Sequence, residues 1–81
     1  MPSNLQDLML NDRGFAFDPT GGETFQLSAT GLRIVRLLQQ GVEHDAILGH
    51  ILEEFEVDPN TASRDLGDFM QSVKQLGWIT A

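Results

Sequence analysis

The sequence predicts an α+β fold, a three-stranded antiparallel β-sheet followed by a three-helix bundle. Three observations lead there. Apolar residues alternate with a period of two between Leu8 and Leu27, broken by two turn signals. At Ser28 the period changes to about three and a half. Beyond that point, capping residues divide the chain into three helical stretches.

The strands come first. Leu8 and Leu10 alternate with Asp7 and Met9, and "NDRG" (Asn11 to Gly14) marks a turn. Phe15 and Phe17 alternate around Ala16. "DPTGG" (Asp18 to Gly22) is a stronger turn, with a proline and paired glycines. Phe25 and Leu27 then alternate with Thr24 and Gln26. A meander with Phe15, Phe17, Phe25 and Leu27 on one core-facing side is the expectation.

The first helix starts at Ser28, whose hydroxyl can accept from the free amides of the first turn. Ile34, Val35, Leu37 and Leu38 cover a broad arc opposite Arg33, Arg36 and Gln40, so this helix should touch more than one layer. Gly41 ends it as a C′ residue. In the second helix Ile47, Leu48, Ile51, Leu52 and Phe55 form an amphipathic stripe opposite His50, Glu53 and Glu54. No Ser or Thr caps its start, although Asp45 favours the helix dipole. The third helix has the clearest start, Asp58 as cap and Pro59 at the first helical position. Its expected core stripe is Leu66, Phe69, Val73 and Leu76, broadened by Met70. Gly77 should close it, and Trp78 and Ile79 should fold back as a short apolar tail or strand.

With 81 residues and no linker, repeat or low-complexity segment, residues 1–81 read as one domain. A chain of this size buries only about 60% of its unfolded surface. The absence of cysteine removes disulfides, zinc thiolates and thiol catalysis, and fits a reducing, cytoplasmic setting. No signal peptide or membrane-spanning run is visible. Twelve acids against five bases give a net charge of −7. Between Glu43 and Asp58 there are acids but no Lys or Arg. Nucleic acids and anionic membranes both ask for the opposite sign, so neither is an expected partner.

No catalytic or metal constellation stands out. His44 and His50 lie six apart, on different faces of one helix, and cannot share a metal as an i, i+4 pair would. The acid pairs Glu53 with Glu54 and Asp65 with Asp68 read as solvated carboxylates rather than a general acid/base dyad. Gly21-Gly22 is not followed by the lysine-bearing helix of a phosphate loop. Ser28 and Ser63 sit in no nucleophile elbow. The expectation is a binding module without enzyme activity, cofactor or metal.

Three helices after a small sheet also describe a winged helix, whose third helix could enter a DNA major groove. Here that helix carries Arg64 and Lys74 beside Asp65 and Asp68, a surface that should repel phosphates. DNA binding is the rival of a different class.

The run "LSATGLRIVRLL", then "ILGHILEEFEVD", then "DLGDFMQSVKQLGWI" resembles the PqqD family, named for the pyrroloquinoline quinone synthesis protein D. The matching positions are Leu27, Ser28, Thr30-Gly31, Ile34, Leu37-Leu38 and Gly41, then Ile47, Ile51 or Leu52, and Phe55. Asp65-Leu66, Phe69-Met70, Val73 and Gly77 to Ile79 complete the pattern. Val35 stands where many members have an aromatic residue. The resemblance runs from about Phe15 to Ile79, and it lies in order and spacing rather than in any single motif.

The resemblance implies a winged-helix-like peptide-recognition domain, a RiPP recognition element. Such domains act as non-catalytic peptide chaperones. They bind the leader of a ribosomally made precursor peptide by strand addition to the third strand, against the third helix. They present it to a modifying enzyme, often of the radical S-adenosylmethionine type. The peptide-binding residues implied here are Glu23, Thr24, Phe25, Gln26 and Leu27 on the strand. Arg64, Gly67, Asp68 and Gln71 follow on the helix, off its core stripe. An open sheet edge presents unpaired amides and carbonyls to a guest strand, and equally invites a homodimer. An adaptor joining two proteins without peptide cargo is the other alternative.

Overall fold

The structure, a computed structural model, describes residues 5–19 and 21–76. A 3-10 turn, Leu5–Asp7, precedes strands β1 (Met9–Leu10), β2 (Phe15–Asp18) and β3 (Glu23–Gln26). Helices α1 (Ala29–Gln39), α2 (His44–Glu54) and α3 (Pro59–Gln75) follow. The sheet is antiparallel with order β1-β2-β3, as the two turn signals required.

Local chemistry sets the helix ends. The Ser28 hydroxyl accepts from the Gly31 amide at 3.0 Å, closing the first turn of α1. At the other end Gly41, at φ +82°, lets its own amide reach the Leu38 carbonyl and that of Val42 reach Leu37, a Schellman motif. The Asp58 carboxylate accepts from Asn60 and Thr61 and caps α3. α2 has no side-chain cap, as its sequence suggested. Asp58→Ala should therefore destabilise the protein by about 1 kcal/mol, read as a lower thermal midpoint with unchanged helical circular dichroism at 25 °C.

α1 serves two apolar clusters. Its Ile34 and Leu37 pack with Ile47 and Ile51 of α2 and with Ala62 and Leu66 of α3. Its Val35 packs the other way, with Leu5, Leu8 and Val73, under the half-buried Leu10, Phe25 and Leu27. Each fully buried Leu or Ile contributes about 1.5 to 3 kcal/mol relative to exposure. The 3-10 turn was not legible beforehand. It is tied down by Gln39, whose Nε2 donates to the Leu5 and Leu8 carbonyls at 3.0 and 3.1 Å.

One face assignment is corrected. Phe15 and Phe17 do not face the core with Phe25; each is 40% exposed, whereas Ala16 between them is fully buried. The register decides this. Ala16 stands opposite Phe25 and Phe17 opposite Thr24, so Phe17 and Phe25 are on opposite faces. A second correction concerns Leu76, expected in the core stripe of α3. It is the C-cap residue and is 45% exposed. Phe55 also lies just past the end of α2 rather than within it, though it still packs on the helical core. The expectations for Gly77, Trp78 and Ile79 lie outside the described residues.

Candidate functional site

β3 is an edge strand among the described residues. Its backbone polarity follows from the ladder. The Leu27 amide donates to the Gly14 carbonyl at 2.7 Å, so Leu27 turns its polar groups toward β2. In an antiparallel strand this orientation alternates residue by residue. Phe25 and Glu23 therefore also address β2, while Thr24 and Gln26 aim their amides and carbonyls outward. The edge ends sharply, because the Ser28 carbonyl accepts from Leu32 as the first bond of α1.

Next to that end lies an open groove of about 340 Å3. One wall is the start of α1, with Thr30, Gly31 and Ile34; the other is α3, with Asp65, Asp68, Phe69 and Ser72. Gly31 gives the groove its depth. A Cβ there would come within 3.2 Å of the Phe69 ring and 3.3 Å of the capping Ser28 hydroxyl. A second hollow, of about 450 Å3, opens on the far side of α3 between His44, Gly67, Met70, Gln71 and Lys74.

The candidate residues fall into different places. Thr24 and Gln26 lie on the outer sheet face with exposed side chains, Glu23 is exposed at the strand's start, and Phe25 and Leu27 are half-buried toward the core. Of the α3 candidates, Asp68 alone lines the groove beside β3. Gly67 and Gln71 line the second hollow, and Arg64 lines neither. The α3 candidates are thus divided between two concavities on opposite sides of the helix. Asp65, Phe69 and Ser72 were missed as site residues. Their signal was the i, i+4, i+7 spacing beside the core stripe.

The charged groups outside the groove serve the surface. Arg33 bonds Glu54 at 2.8 Å, with His50 on the second Glu54 oxygen at 3.6 Å, and Arg36 bonds Asp12 at 2.8 Å. Among the described residues no group of His, Cys, Asp or Glu could hold a metal ion. No helix among them is long and apolar enough to cross a membrane.

Comparison with known proteins bears on this edge. The family model described as coenzyme PQQ synthesis protein D (PqqD) matches residues 13–79. No curated protein matches the chain. Among solved structures, the chain is similar to TbiB1 in complex with the TbiA(beta) leader peptide. The TM-score is 0.72 at 32% identity, over 84% of this chain and 80% of that one. It is likewise similar to a lasso peptide synthetase B1 complexed with the leader peptide. There the TM-score is 0.71 at 30% identity, over 86% of this chain and 84% of that one.

Proposed function

Because the chain belongs to the PqqD family, we propose that it is a peptide chaperone for the leader of a ribosomally made precursor. The leader adds as a fourth strand on β3. The protein does no chemistry itself; it presents the peptide to a modifying enzyme that acts on it. One observation carries this reading: the open backbone edge at Thr24 and Gln26 runs into a groove, in a fold whose solved relatives hold leader peptides. Main-chain pairing supplies generic affinity and the groove supplies selectivity.

The Glu23 to Leu27 strand is the docking edge in this reading, and Asp68 is the α3 candidate best placed to meet the guest. Gly67 and Gln71, in the second hollow, and Arg64, in neither concavity, are the further α3 candidates for contact with the peptide.

An amide NMR titration of the labelled protein tests the reading, with the TbiA(beta) leader peptide as first probe and duplex DNA as control. Shifts at Thr24, Gln26, Gly31 and Phe69, with none from DNA, are expected. Movement of the α3 amides by DNA, with β3 silent toward peptide, would make the winged-helix rival correct.

A further inference from the structure

A guest strand on β3 would alternate as its host does, so its residues beside Phe25 and Leu27 would point their side chains inward. The one beside Leu27 would meet the mouth of the groove. The Leu27 Cβ lies only 3.6 Å from where a Cβ on Gly31 would stand.

The groove is two-natured. Its floor is apolar, made by Ile34, the Phe69 ring and the bare backbone of Gly31. Its lip on α3 carries the carboxylates of Asp65 and Asp68, and no Lys, Arg or His lines it. Neither carboxylate has an ion-pair partner among the described residues. The N-terminus of α1, at the opposite wall, adds only about half a positive charge. Two full negative charges outweigh it, so the groove is an anionic slot over a hydrocarbon floor. A neutral aliphatic guest would leave the lip unused, and an acidic one would be repelled.

Resting on the strand-addition reading above, we infer that this groove is a subsite for one lysine or arginine side chain of the bound peptide. The apolar stem covers Ile34 and Phe69 while the cationic head stays at the solvated lip between Asp65 and Asp68. Gly31 sets the depth of the slot, and the carboxylates set its charge preference.

The test is a peptide-display selection of short random peptides on wild-type protein and on the D65N/D68N variant. Enriched peptides are then titrated by fluorescence anisotropy and mapped by NMR. Wild type is expected to enrich Lys or Arg at one fixed position of a β-compatible motif, and the variant to enrich the same motif without that preference. A selected peptide should lose roughly fivefold in affinity when its basic residue becomes methionine. That loss should vanish in the variant. Circular dichroism checks that the variant keeps its helices, with D68N alone as the milder substitution.

Peptides that move Thr24 and Gln26 yet carry no basic preference would overturn the subsite and leave the strand-addition reading intact. A basic preference retained by D65N/D68N would do the same. If wild type enriches nothing, the subsite and the reading fall together.

Discussion

Replacing Gln26 with proline is expected to leave the domain folded while weakening leader-peptide binding at least about tenfold. The Gln26 amide points to the open side of β3, away from β2, so its loss breaks no bond within the sheet. Proline is tolerated on edge strands in that orientation. A guest strand, however, loses a main-chain donor and meets the pyrrolidine ring where it must approach. The control is Phe25→Pro set against Phe25→Ala. There the amide faces β2, and the proline should lower the thermal midpoint well beyond the alanine. Thermal unfolding and anisotropy with the TbiA(beta) leader peptide read both properties. Full affinity in Gln26→Pro would mean that the peptide does not use this edge.

The largest stability effect is expected at Gly14. Its φ is +91°, and a Cβ there would overlap the carbonyl oxygen of Leu27, the residue whose amide the Gly14 carbonyl accepts. Gly22, at φ +73°, has nothing within 4 Å of the same position. The pair separates backbone strain from collision. Gly22→Ala should cost about 1 kcal/mol, the left-handed strain alone. Gly14→Ala carries that strain and must also push the end of β3 away, for about 3 kcal/mol or more. In a domain of this size those costs correspond to falls in thermal midpoint of about 4 to 8 °C and at least about 12 °C. Equal falls would show that the Leu27 carbonyl moves aside freely.

The helix boundaries were legible in the sequence because their causes are local. Ser28, Gly41 and Asp58 with Pro59 act within a few residues of themselves, and each does what its side chain or backbone freedom allows. The meander was legible for the same reason. The faces of its strands were not. Aromatic residues at 15, 17 and 25 look like one stripe, but the pairing of Asp18 with Glu23 fixes the opposite parity. Register decided a question that hydrophobicity could not.

Legibility fails in the same way at the groove. The edge strand could be identified from order alone, and the family pattern pointed to it. The groove depends on how closely the start of α1 approaches α3, a distance that no local pattern encodes. Gly31 reads in the sequence only as part of the family pattern at the start of α1; the Phe69 ring and the Ser28 hydroxyl beside it give it a physical reason. Arg64, Gly67, Asp68 and Gln71 on α3 were chosen only as lying off the core stripe, and that pattern does not tell which of them line the groove beside β3, which the second hollow, and which neither.

The exposed Phe15 and Phe17 have a consequence for how a precursor can evolve. With Met9 and the side chains of Thr24 and Gln26 they form the outer sheet face, and a guest strand would extend that face by every second residue. Its other residues would be hidden between sheet and helix. A leader held this way carries two interleaved messages, one legible only to its carrier and one displayed to whatever arrives next. Each can drift without corrupting the other. Substitutions in such a leader would then be tolerated with a beat of two, and an inserted single residue would exchange the two messages at a stroke.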